Sequence, residues 1–147
     1  MKNLVTGLAL LLMHLACYAD VTVNDAWARA TPSGAAMGAA YMELTNPTSQ
    51  PVHIVRLETS VAKMSEVHES MEHNGMMRMK HIDPLGIAPG ETVILKPGGK
   101  HVMLMKLIKP LVDGEKFLLT LIDENAETVP VEVIVGSIGQ MEMPRAP

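Results

Sequence analysis

The chain has 147 residues, with 12 Lys and Arg against 16 Asp and Glu and a formal net charge of −4 at pH 7. This length is enough for one domain that buries most of its apolar surface. Because the sequence carries no basic patch, its charge argues against a nucleic-acid partner.

The first nineteen residues are typical of an export signal. Lys2 gives a short basic start, the run from Leu4 to Leu15 is mostly apolar, and Ala19 fits the last position before cleavage. The apolar run is shorter than the roughly 20 residues that a confident membrane span requires. We therefore expect residues 1–19 to be removed on export.

Two other interpretations of this segment stay open. Ala16-Cys17 resembles the end of a lipoprotein signal, in which Cys17 would be acylated, although His14 stands where such signals usually have Leu. The segment can also be read as a buried helix of the mature domain. The predicted organisation is a signal peptide at 1–19, a β domain at 20–138 and a flexible tail at 139–147.

Short β-prone runs separated by turn residues fill the rest of the chain. The predicted strands are Val21–Ala30, Ala36–Asn46, His53–Thr59, Glu66–Glu72, Met76–Ile82, Thr92–Leu95, His101–Ile108, Phe117–Ile122 and Val129–Val135. No segment has a long helical period. Evenly spaced short strands of this kind predict an all-β protein, folded as an antiparallel β-sandwich.

Asn74-Gly75, between two of these runs, is the strongest hairpin signal in the chain. If these two residues are the loop, His68 lies opposite His81, and Met79 is a diagonal neighbour of His68. Directly paired residues share a face, as do residues two apart on one strand. The sequence therefore predicts His68, Met79 and His81 on one side of the hairpin.

A second tight turn, Pro97-Gly98-Gly99, precedes another strand. Strand alternation puts His101, Met103 and Met105 on one face of it, while the residues between them point toward the core. Two donors from the hairpin and two from this strand could therefore surround one ion.

The candidate ligands are His68, Met79, His101 and Met103, in the spacing His-x10-Met-x21-His-x-Met. Two imidazoles and two thioethers make a soft, neutral donor set that suits Cu(I), whereas Zn(II) favours thiolate, imidazole or carboxylate. A blue-copper electron-transfer site needs a cysteine ligand, and the only cysteine lies in the signal.

The residues alone leave alternatives to this ligand assignment. His81 and Met105 are the substitutes if one of the four ligands is wrong. The sequence does not decide whether a second copper site is formed by Met141 and Met143 or by His73. The methionines can also be packing residues of a metal-free interaction module. An enzyme is not expected, because we find no acid–base carboxylate pair in a defined context, no nucleophile motif and no phosphate-binding loop.

Several segments beyond the signal match a known family. They include Val23–Pro32, Gly38–Tyr41, Leu44–Asn46, Val67–Glu69, Met77–Met79 and Leu95–Met105. With them the chain resembles the periplasmic copper chaperones of the PCuAC family, which supply the binuclear copper site of cytochrome c oxidase. The family's metal pattern, His (or Met)-x10-Met-x21-His-x-Met, is matched at every position.

The resemblance implies a cupredoxin-like (or immunoglobulin-like) β-sandwich with a shallow Cu(I) site formed by His68, Met79, His101 and Met103. It also implies delivery of Cu(I) to an acceptor with thiolate ligands, with subunit II of cytochrome c oxidase expected and other periplasmic copper carriers as further partners. A copper-buffering or resistance protein without a dedicated acceptor is the alternative that this ligand set leaves open.

Overall fold

The computed structural model describes residues 21–144, which form ten β-strands and no helix. The strands are β1 Thr22–Arg29, β2 Met37–Thr45, β3 Val52–Thr59, β4 Ala62–His73, β5 Met76–His81, β6 Leu85–Ile87, β7 Thr92–Leu95, β8 Lys100–Leu107, β9 Lys116–Asp123 and β10 Thr128–Gly136. Within this range there is thus no helix able to cross a membrane. The predicted signal peptide lies outside the described residues.

All ten of these strands belong to one hydrogen-bonded sheet. Its order is β5-β4-β8-β2-β1-β10-β9-β3-β6, and β7 pairs with the C-terminal half of β2. The predicted all-β class is confirmed. The prediction of antiparallel pairing is wrong for one pair, because β1 and β10 run parallel. These two strands are far apart in sequence, so no hairpin fixes their relative direction.

The nine predicted strands are all present, and their ends shift by a few residues at most, except that β4 begins four residues before its predicted start. The strand that the sequence did not predict is β6, which pairs with β3. It has only three residues, and its middle residue, Gly86, has no side chain to reveal an alternating pattern.

One hydrophobic core lies under this sheet, built from alternate residues of most strands. On β4 and β8 the inward residues are Val67, Val102 and Leu104, and the last two are fully buried. Each buried side chain of this kind contributes about 1.5–3 kcal/mol relative to an exposed one. This packing fixes β4 against β8, and it leaves the opposite face of the two strands, hereafter the outer face, for other residues.

Candidate metal centre

The hairpin of β4 and β5 has the register that its turn predicts. Asn74 and Gly75 have φ angles of 51° and 75°. Positive values at both loop positions are typical of a type I′ turn, whose twist suits a two-residue hairpin. His68 pairs with His81, and Ser70 pairs with Met79. The predicted pairing is therefore confirmed, and Met79 lies diagonally beside His68 on one face.

Strand β8 lies on the other side of β4 and brings the second pair of predicted ligands. His101 pairs directly with His68, and Met103 pairs with Glu66. His101, His68 and His81 thus form a row across three adjacent strands, which we call the histidine row. The ring centre of His68 is 6.2 Å from that of His101 and 5.5 Å from that of His81.

The two predicted thioether ligands flank this row on the outer face. Met103 is two residues beyond His101 on β8 and is partly buried. Met79 lies on β5 and is 60% exposed. All four residues singled out from the sequence therefore lie on one face of three neighbouring strands, with imidazoles in the middle and a sulfur on either side.

His101 is held in place by the turn before it. Its side chain is only 5% exposed, and its Nδ1 lies 3.0 Å from the carbonyl oxygen of Gly99. When Nδ1–H donates to this carbonyl, Nε2 keeps the lone pair that a metal ion needs. A backbone acceptor of this kind is a common support for a metal-binding imidazole, because it sets both the tautomer and the ring orientation.

His68 has a carboxylate as its support. Its Nε2 lies 3.0 Å from Oε2 of Glu66, whereas its Nδ1 is buried and has no hydrogen-bond partner within residues 21–144. If Nε2–H donates to Glu66, Nδ1 carries an unused lone pair. Buried polar atoms are rarely left without a partner, so this nitrogen fits an atom that is reserved for a ligand.

Glu66 is a functional candidate that the sequence analysis missed. Its Oε2 also lies 3.9 Å from Nε2 of His81, so one carboxylate serves two histidines of the row. Strand alternation contained the signal, because Glu66 stands two residues before His68 and therefore shares its face. Within the described range, no three His, Cys, Asp or Glu side chains are grouped as a ligand set.

Of the other candidates from the sequence, some lie on this face and some do not. His73 is an odd number of residues from His68 and so projects from the opposite face of the hairpin. Met105 is one step further from His101 than Met103 on the outer face. His81 is in the histidine row, beside His68. Sulfur of Met141 lies 2.7 Å from a guanidinium nitrogen of Arg29. The flexibility of the tail stays a prediction.

Comparisons with known proteins bear on the family and on the fold. The model of a family described as "Putative lipoprotein LpqE-like" matches residues 21–135. The chain is 37% identical over 116 residues to "Putative lipoprotein Lxx21020" of Leifsonia xyli subsp. xyli (strain CTCB07), covering 78% of this chain and 69% of that protein.

Two solved structures are similar over most of their length. The copper-bound PCuAC domain from PmoF2 has a TM-score of 0.69 and 22% identity, with 85% of this chain and 99% of that domain covered. The solution structure of CuI-DR1885 from Deinococcus radiodurans has a TM-score of 0.65 and 34% identity, with 82% and 81% covered. The cupredoxin-like fold that the resemblance implied is confirmed.

Proposed function

This chain belongs to the LpqE-like family and has the PCuAC fold, and from that premise we propose that it is an exported carrier of Cu(I). The proposed ligands are His68, Met79, His101 and Met103. The observation that carries the proposal is the alignment of two supported imidazoles between two thioethers on one sheet face. The copper-bound and Cu(I) forms of the similar structures support the same metal.

The donor set favours the cuprous ion over its rivals. Two thioethers and two neutral imidazoles bring no net charge, and thioethers are good ligands for a soft monovalent cation but weak ones for Zn(II). The carboxylate of Glu66 supplies a negative charge close to the ion without being needed as a ligand. Its contact with His68 also orients that imidazole, as such supports do at other metal sites.

The exposure of the site supports delivery and not permanent storage. Met79 is largely exposed, and Met103 is partly exposed, so donors of a partner can reach the ion before the carrier's ligands leave. Thiolate is a stronger donor to Cu(I) than thioether, so stepwise exchange to a thiolate site runs downhill. The binuclear copper site of cytochrome c oxidase subunit II, which the PCuAC resemblance names, is the proposed acceptor.

Export is part of this proposal. The family description and the name of the Leifsonia relative both contain "lipoprotein", which supports a location beyond the cytoplasmic membrane. The signal-like residues 1–19 agree with this, and Cys17 offers the position for a lipid anchor in a lipoprotein form.

The test is a transfer experiment between purified proteins. The exported chain is loaded with one equivalent of Cu(I) and mixed at equal concentration with the reduced copper-binding domain of oxidase subunit II. We expect the metal to be found with the acceptor after separation. An acceptor whose ligand cysteines are replaced by serine should leave the metal on the carrier. Copper that stays on the carrier with the intact acceptor contradicts delivery.

A buffering role without a dedicated acceptor is the second candidate, because the same ligands serve it equally well. Deletion of the gene separates the two roles. Loss of oxidase activity at low copper supports delivery, whereas loss of copper tolerance alone supports buffering.

A further inference from the structure

A second set of sulfur donors lies on the outer face, beyond the proposed copper ligands. Met105 of β8 pairs with Met37 of β2 on one side and with Met64 of β4 on the other. These three residues form a row across three adjacent strands, which we call the methionine row. Met37 is 58% exposed, Met64 is 43% exposed, and Met105 is partly exposed.

Packing does not account for this row. Methionine usually fills gaps in a core, as Met42 does here at 1% exposure. The residues of the methionine row lie on the side of the strands opposite to Val102 and Leu104, which face the core. Exposed apolar side chains in a contiguous group are uncommon on a monomer and mark a site of interaction.

The register brings the three sulfurs within reach of one another. Directly paired side chains have Cβ atoms about 4.5–5.5 Å apart. Methionine has three rotatable bonds and places its sulfur two bonds beyond Cβ, so the outer two side chains can lean over the middle one. This pairing allows the three thioethers to converge above Met105.

We propose that Met37, Met64 and Met105 form a second soft-metal site, which binds a monovalent soft cation such as Cu(I) or Ag(I) through thioethers alone. The donors are neutral and soft, which selects against Zn(II), Mg²⁺ and Ca²⁺. The only acidic residue beside the row on the outer face of β4 is Glu66, two residues from Met64, and its carboxylate favours a bound cation.

The methionine row is distinct from the proposed copper ligands but close to them. Met103 lies between Met105 and His101 on β8, and Glu66 lies between Met64 and His68 on β4. Each step of two residues along a strand covers about 6.8 Å. The histidine row and the methionine row can therefore hold one ion each, so the chain carries two equivalents of soft metal on one face.

The test uses Ag(I), which mimics Cu(I) but does not cycle in oxidation state, and the exported chain labelled with ¹³C at its methionine methyl groups. We expect the wild type to bind two equivalents, with the second shifting the methyl signals of Met37, Met64 and Met105. The triple variant Met37→Leu, Met64→Leu, Met105→Leu keeps the side-chain volume and should bind one equivalent, losing affinity for the second by more than tenfold.

The matched control removes three other exposed methionines. The variant Met71→Leu, Met76→Leu, Met77→Leu changes the β4–β5 hairpin and should still bind two equivalents. A wild type whose methionine-row methyl signals do not shift with any bound equivalent overturns the proposal. So does a methionine-row variant that still binds two, or loss of the second equivalent in the hairpin variant instead.

A further variant separates this proposal from the proposed function. His68→Ala with His101→Ala removes both paired imidazoles, and it should still bind one equivalent of Ag(I) with shifts confined to the methionine row. Its amide spectrum checks that the sheet is retained, and the methyl shifts of the wild type decide the matter if it is not. If the methionine row binds an ion but no ion depends on the histidines, the proposed function is contradicted and the second site is not.

Discussion

The two faces of the β4–β8 pair share one backbone, but one packs in the core and the other carries the proposed metal ligands. On the inner face Val67, Val102 and Leu104 are buried in the core. On the outer face His68 and His101 occupy paired positions of the same two strands. The comparison shows that packing of the core sets the spacing of the two strands. The same spacing then determines the distance between His68 and His101 on the other face.

The difference also separates stability from binding. A change on the inner face should alter the free energy of unfolding and leave the affinity of the folded molecules for Cu(I) intact. A change on the outer face should do the reverse. The first three predictions below test this separation, and the fourth tests the turn that aligns Met79.

The largest effect is expected for Leu104→Ala on the inner face. Leu104 is fully buried, and such truncations cost about 3 kcal/mol because they leave a cavity. Urea denaturation should show this loss, while competition with a Cu(I) chelator under folding conditions should give the wild-type affinity. Leu118→Ala removes a leucine that is 54% exposed, and its unfolding free energy should change by less than about 0.5 kcal/mol. If the Cu(I) affinity of Leu104→Ala falls together with its stability, the two faces do not act independently.

The next effect compares the same residue type on both faces. Met103→Leu keeps the volume but removes a proposed sulfur ligand, so we expect Cu(I) affinity to fall by roughly 30-fold, or about 2 kcal/mol. Met42→Leu replaces a core methionine and should cost less than about 1.5 kcal/mol of stability, with affinity unchanged. Chelator competition and urea denaturation measure the two quantities. Equal affinities for the two variants would remove Met103 from the ligand set.

A smaller effect is expected from the support of His68. Glu66→Gln keeps the size of the side chain but removes the charge that holds Nε2 of His68, and changes in such supports lower metal affinity by about tenfold. Glu69→Gln is the control, because Glu69 pairs with Lys100 and projects from the other face of β4. The same chelator competition applies. If the Glu66→Gln variant binds Cu(I) with wild-type affinity, this carboxylate does not support the metal site.

The smallest effect concerns the turn that aligns Met79. Gly75→Ala introduces a side chain at a φ of 75°, which costs about 1 kcal/mol for a residue with a Cβ. Gly139→Ala is the control, since no atoms crowd that position and its backbone is not in the left-handed region. Thermal unfolding compares the two. Equal melting temperatures would indicate that the hairpin tolerates a strained turn.

The sequence predicts those features that depend on local chemistry. Asn74-Gly75 requires a two-residue turn, and that turn alone fixes which residues of β4 and β5 are paired. By contrast, the direct pairing of His68 with His101 depends on the register of β4 and β8, which have three other strands between them in the sequence. No local sequence pattern determines that register. The sequence therefore predicted that these residues share a face, but not that they are directly paired.

Two other features were missed for different reasons. The parallel pairing of β1 with β10 joins the two ends of the domain and has no local signal. Glu66, by contrast, was visible in principle, because strand alternation puts it on the face of His68. It was overlooked since carboxylates are not soft donors, and its role here is to support a ligand.

Strand β5 is an edge strand at one end of the sheet, and among the described residues it pairs with a strand on one side only, β4. All six of its side chains are exposed, so little apolar contact resists its fraying. Local opening of this kind costs far less than global unfolding and shows as fast amide hydrogen exchange. Brief detachment of β5 would free one thioether while the donors on β4 and β8 keep hold of the ion. The residence time of the cargo would then be set by the motion of a single edge strand.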